Sequence, residues 1–145
     1  MTLPSGYAIA TGYERMDIRA IHAYLTTAYW SEGIPFDVVD RAARHSLAFG
    51  VFFHDAQVGF ARVITDRATF AYLADVYVLE PHRGQGLAQG LVGVVLQAPE
   101  ISGVRRMLLA TRDAHSLYAR FGFKGLAAPE RFMQIHNPGV YVAAA

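Results

Sequence analysis

One stretch constrains the fold more than any other. In residues 73–97, LADVYVLEPHRGQGLAQGLVGVVLQ, the side-chain periodicity changes across a pair of glycines. Tyr72 to Leu79 is rich in β-branched and aromatic residues, which suit a buried strand. Glu80-Pro81-His82 stops it, since proline cannot donate to a ladder. From Gly86 onward Leu87, Leu91, Val94 and Val95 recur at helical spacing, and Pro99 closes the run. The segment therefore reads as strand, tight turn, helix.

Such a turn is a seat for an anion. The first amides of a helix lack internal partners and carry the positive end of its dipole. Gly84, Gly86 and Ala88 leave that backbone open to approach, and Arg83 adds a planar charged fork suited to phosphate oxygens. A flexible strand-to-helix turn beside a surface arginine has the same composition, so the turn by itself leaves both readings open. Two other phosphate motifs are excluded. No Gly-Lys pair followed by Ser or Thr exists for a Walker loop. A dinucleotide fingerprint fails because Gln89 stands where its third glycine belongs, and no acid lies at the ribose position, where the chain has Val104-Arg105-Arg106.

Arg83-x-x-Gly86-x-Ala88, after a strand and before a helix, resembles the Q/R-x-x-G-x-G/A signature of the GNAT superfamily of N-acetyltransferases. A second segment, ATRDAHSLYARFGF from Ala110 to Phe123, is similar to the family's later strand-helix-turn ending in Tyr-x-x-x-Gly-Phe. The resemblance covers roughly residues 47–126. It implies that the amides of Arg83, Gly84, Gln85, Gly86, Leu87 and Ala88 hold the pyrophosphate of acetyl-CoA, the cosubstrate. It further implies that an amide near Tyr77 or Val78, where two parallel strands splay, binds the thioester oxygen. Thr111 stands where many relatives have an asparagine on the pantetheine, and a hydroxyl replaces only part of that bonding.

The rest of the chain fits one α/β domain spanning 1–145, its acetyl-CoA-binding core roughly 69–123. The sequence predicts a first strand at 7–11, helices from about 13 to 29 and from 37 to 45, and a hairpin of 47–53 with 58–64. Strands at 69–79 and 104–110, a helix from Asp113 to Phe121 ended by Gly122, and a last strand at 132–135 complete it. This makes a mixed, twisted sheet of about six or seven strands with helices on both faces.

On the helix after Asp113, Ala114, Leu117, Tyr118 and Phe121 share one face, which turns Tyr118 inward. Its residues alone suit a core tyrosine bonded to backbone. The resemblance instead makes Tyr118 the general acid that protonates the departing CoA thiolate. A base for the attacking amine is harder to find. Several relatives place a carboxylate about 13 residues before the signature arginine; that position is Phe70, and no acid occurs from Arg67 to Ala74. Asp75 is the nearest candidate. Strict alternation puts it on an apolar face with Leu73, Tyr77 and Leu79, and anchoring a neighbouring loop is its equal alternative. Glu80 and His115 are weaker candidates. Tyr29, Trp30 and Phe36 flank the break between the first helices, over the expected acceptor cleft.

Composition narrows the classes. A formal net charge of +1 gives no electrostatic reason to expect nucleic acid or membrane. There is no cysteine, hence no disulfide framework or thiol nucleophile. Histidines 22, 45, 54, 82, 115 and 136 show no ligand spacing, so no metal is expected. The N-terminal residues lack the basic and apolar regions of a signal peptide, and a cytoplasmic protein is the expectation. The expected activity is acetyl transfer from acetyl-CoA to a primary amine of a small acceptor by direct attack in a ternary complex. A protein amine, an acyl-CoA-binding regulatory domain without turnover and an interaction module stay open, as does a homodimer.

Overall fold

The computed structural model describes residues 2–142. Five strands form one sheet in the order β1-β2-β3-β4-β5: β1 Tyr7–Thr11, β2 Leu47–Phe53, β3 Ala56–Thr65, β4 Phe70–Val78 and β5 Arg106–Leu109. The first four run as an antiparallel meander, and β5 lies parallel to β4. Helices α1 Ile18–Leu25 and α2 Phe36–Arg44 cover one face, and α3 Leu87–Leu96 with the short α4 His115–Ala119 covers the other.

Local chemistry sets the helix ends. Asp17 caps α1 by accepting from the amide of Ala20 (3.1 Å), so the first helix begins later than its periodicity suggests, after a single turn at Tyr13–Arg15. It stops at Leu25 rather than Tyr29, with Thr26 as C-cap and the chain turning through 26–33. Pro35 pre-sets the backbone entering α2. Gly122, at φ +94°, ends α4 with the paired bonds Phe123 N to Tyr118 O and Gly122 N to Ala119 O.

Two cores result. Leu47, Phe49, Val63, Leu73, Leu91 and Val95 pack between the sheet and α3; Ile21, Leu25, Val39, Phe60 and Tyr77 pack under α1 and α2. Leu73 and Tyr77 thus lie in opposite cores, although simple alternation puts them on one face. The cause is a bulge: Arg62 pairs with Ala74 and Phe60 with Tyr77, and Asp75 adopts φ +58°. An extra residue reverses the inward-outward sequence beyond it.

Among the described residues the sheet has five strands, not six or seven. Residues 132–135 carry a strand-like alternation but form no ladder; a single 3-10 turn at Pro129–Arg131 precedes them and they lie exposed. None of the backbone bonds made from 128 to 142 reaches β5, and a strand exists only where a neighbouring backbone accepts its pairing.

Candidate active site

The ladder between β4 and β5 has four pairs and ends at Leu73 with Leu109. Beyond it the strands part, and two cavities open on either side of α4. Adjacent residues of that helix look into different ones: Leu117 into the smaller, Tyr118 into the larger.

The smaller cavity, about 280 Å³, lies over the turn into α3. Gly84 and Gly86 sit at φ +80° and +78°, in the left-handed region where a Cβ is strained, and nothing lies within 4 Å of where one would stand. Gly86 is the N-cap, and the first bond in the helix runs from Gly90 N to Gly86 O. Among the described residues, the six successive amides from Gly84 to Gln89 find no acceptor in the protein. The charged groups on the cavity wall are Arg83 and Arg120, with no carboxylate beside them. Six successive free donors at a helix start, with two guanidinium groups, suit a phosphate chain.

Several side chains near the turn serve it from behind. Arg83 Nε donates to the carbonyl of Val78 (2.8 Å) and its terminal nitrogen to the Tyr24 hydroxyl (3.3 Å), so its fork ties the turn to β4. Gln85 Nε2 reaches Tyr7 Oη (3.0 Å) and the His82 carbonyl (3.3 Å). Leu87 is buried and contributes its amide, while Ala88 lines the cavity. Arg120, which donates to Gln89 (3.3 Å), was not legible as a site residue because only the fold brings α4 over the turn.

The backbone of β4 points the same way. Leu79 donates to Val58 across the ladder (2.8 Å), so alternation turns the polar groups of Val78 away from β3. Its carbonyl accepts Arg83 on that side. Of the two expected amides, that of Val78 faces the gap. Tyr77 pairs with Phe60 and buries its ring, stacked on Tyr24 at 4.0 Å. Burial, then the nearby Tyr24 and two aspartates, pushes the Tyr77 phenol well above the ordinary tyrosine range.

The larger cavity, about 600 Å³, has an aromatic wall of Tyr29, Trp30, Tyr72, Tyr118 and Tyr141. Tyr118 is buried, its ring set edge-on to Phe123 at 5.9 Å. Its hydroxyl has no protein partner among the described residues, and it is not sealed from solvent either. A core tyrosine bonded to backbone is therefore not what the fold contains. Burial, and secondarily Tyr29, raises its pKa above the ordinary value, which keeps the proton on the oxygen.

Asp75 also borders this cavity, with both carboxylate oxygens engaged. Oδ2 accepts from Arg62 Nε (2.6 Å) and Oδ1 from Trp30 Nε1 (2.8 Å). The apolar setting expected from strict alternation is replaced by an ion pair, because the bulge turns Asp75 toward the cleft. The carboxylate fastens the α1–α2 loop to the sheet. Thr111 lines the cavity too, with its hydroxyl accepting from the amide of Ala114 (3.0 Å) just before α4. Phe36 is displaced from the expected cleft: it opens α2, half-exposed, edge-on to His22 at 5.6 Å. Residues that the sequence did not reveal are Arg62, Tyr72, Tyr141 and the pair Arg112–Asp113; Arg112 lies 3.9 Å over the Tyr29 ring. Glu80 and His115 border neither cavity, and no cluster of three potential metal ligands occurs among the described residues.

The family model for the acetyltransferase (GNAT) family matches residues 13–123, which hold every lining residue of both cavities except Tyr141. A protein of Gibberella zeae named as an acetyltransferase is 29% identical over 137 residues, covering 79% of this chain and 76% of its own. A crystal structure of a GNAT-family protein from Xanthomonas campestris pv. campestris is 45% identical, covers 97% of this chain and 99% of its own, and superposes with a TM-score of 0.92. An acetyltransferase of Clostridium acetobutylicum solved with acetyl-CoA is 14% identical, covers 90% and 96%, and shares the fold at a TM-score of 0.67. Its position in that family carries the general activity, acyl transfer from acetyl-CoA: this chain belongs to the GNAT family of acetyltransferases.

Proposed function

We propose that the protein acetylates a primary amine of a small, partly aromatic acceptor, with both substrates bound together. The observation that carries this reading is the row of six amides without acceptors at one cavity, with α4 as the shared wall that turns Tyr118 into the neighbouring aromatic cleft. Acetyl-CoA supplies the acyl carbon and a thiolate leaving group. In this reading the amides from Gly84 to Gln89 and Arg120 hold the diphosphate, and the Val78 amide donates to the oxygen that gains charge on attack.

The amine nitrogen bonds to the acyl carbon as the carbon–sulfur bond breaks. Tyr118 gives its proton to the sulfur, and the proton lost by the nitrogen passes to water. The phenolate is then reprotonated from solvent. With both of its oxygens held, Asp75 acts as a positioning residue for Trp30 and Arg62 rather than as the base. A cleft of about 600 Å³ with five aromatic rings fits a small ligand better than a polypeptide segment.

The test is a thermal shift with acetyl-CoA against NAD and ATP, followed by an amine panel monitored by free CoA release. At 100 times its dissociation constant, acetyl-CoA adds about 2.7 kcal/mol, which raises the melting temperature by roughly 5–10 °C for a chain of this size. No shift sinks the site. A shift without CoA release from any amine leaves a binding protein in place of an enzyme.

A further inference from the structure

The wall of the larger cavity carries four charged side chains, Arg62, Asp75, Arg112 and Asp113. Their formal charges cancel, but their hydrogen-bonding capacity does not. Asp75 is mostly buried, with Oδ1 taken by Trp30 and Oδ2 by Arg62. Asp113 pairs with Arg112 at 3.5 Å, both largely exposed. Neither carboxylate stands unpaired to hold an ammonium group.

The donors are in excess. Arg62 places Nε on Asp75 (2.6 Å) and Nη1 on the Ser46 hydroxyl (3.2 Å), which leaves Nη2 without a protein partner among the described residues. No buried side-chain nitrogen among those residues lacks a partner, so Nη2 is open to solvent, and Arg62 borders the cavity. A guanidinium that already pairs with one carboxylate keeps further donors in the same plane for a second. The electrostatics agree. An amine attacks only as the neutral base, and a nearby cation lowers its pKa where an unpaired carboxylate would hold the proton on. Tyr29, Tyr72 and Tyr141 add ring faces to the same wall.

We propose that the acceptor is an amino acid, whose carboxylate docks on Nη2 of Arg62 while its side chain lies against the rings. Resting on the acetyltransferase reading above, this makes Arg62 the residue that selects the acceptor. Polyamines and simple amines, which bring no anionic group, are then poor acceptors.

Trp30 is the only tryptophan in the sequence and borders this cavity, so its fluorescence reads acceptor binding without turnover. With CoA present, L-phenylalanine, L-leucine and L-methionine are titrated against their carboxamides, which keep the amine and the side chain but lose the negative charge. At least one acid is expected to bind tenfold or more tightly than its carboxamide. The pair Arg62→Gln/Asp75→Asn removes the cation without leaving a buried carboxylate unpaired, and there the ratio is expected to fall below three. Equal affinities in the wild type, no response to any acid, or a preference that survives in the double variant overturns the carboxylate seat. If the double variant does not fold, the wild-type ratio decides. A missing thermal shift with acetyl-CoA strikes the reading on which the seat rests; a normal shift with a flat ratio strikes the seat alone.

Discussion

Tyr118 and Asp75 border one cavity, yet their partners give them opposite parts. Tyr118 is a buried residue whose hydroxyl reaches the cleft without a protein partner among the described residues and is held protonated, which suits a proton donor. Tyr118→Phe is expected to lower kcat by about 10²–10⁴ while acetyl-CoA still gives its thermal shift, because the ring packing is unchanged. A kcat within a factor of three of wild type would remove the acid from the mechanism. The raised pKa sets the sign of the pH profile: the general acid stays protonated through the ordinary tyrosine value, and the alkaline limb falls only above it. For Asp75 the expectation is reversed. Asn tolerates the left-handed backbone at this position, so Asp75→Asn tests the charge alone. It is expected to keep kcat within tenfold and to raise the acceptor KM, as Trp30 and Arg62 loosen; a loss of 10² or more in kcat would make Asp75 the base. Removing Arg62 instead leaves a mostly buried carboxylate unpaired, and Arg62→Met is expected to destabilise the fold by about 3–5 kcal/mol in urea titrations.

Among the elements, the turn into α3 and the loop into β4 show how backbone geometry sets the site. Gly86 holds φ +78° with open space around it, so Gly86→Ala meets no clash and is strained only through its backbone. About 1–2 kcal/mol of strain, with the amides rotated off their common target, is expected to weaken acetyl-CoA at least tenfold by calorimetry. Unaltered affinity would mean that the amides are not the seat. In the β3–β4 loop, Asp66 accepts from the amides of Ala68, Thr69 and Phe70 and from the Thr69 hydroxyl. Those bonds, the Thr69 hydroxyl first, hold its carboxyl well below the usual range. A depressed carboxylate stabilises the fold above its unfolded pKa and loses that contribution as pH falls through the folded one. Asp66→Asn is therefore expected to flatten the acid limb of the stability curve.

For the whole molecule, the two cores bury two phenols that unfolding would release. Tyr77 and Tyr118 both have raised pKa values, chiefly through burial. Unfolded tyrosine ionises near pH 10. Stability from these groups is thus complete below about pH 10 and declines above it, by up to about 1.4 kcal/mol per pH unit for each. Urea midpoints measured from pH 8.5 to 11 are expected to drop in that window, and less in Tyr77→Phe. A flat profile would contradict the burial of both rings.

What the amino-acid order determined by itself is local. The strand-turn-helix at 73–97, Pro35 at the start of α2, Gly86 and Gly122 at positive φ, and the inward placing of Tyr118 all follow from periodicity and from residues that permit one backbone shape. The proposed phosphate seat was legible for that reason: its donors are consecutive amides. Tertiary structure decided whatever depends on a partner distant in the chain. The bulge at Asp75 arises from the mismatch of β3 against β4, and it alone reverses faces and hands the carboxylate to Arg62 and Trp30. Arg120 reaches the turn, and Tyr141 the cleft, only because helices and tail fold back over the sheet. Residues 132–135 have the alternation of a strand but no neighbour to pair with, since a ladder needs two backbones and the pattern of one segment specifies only its own.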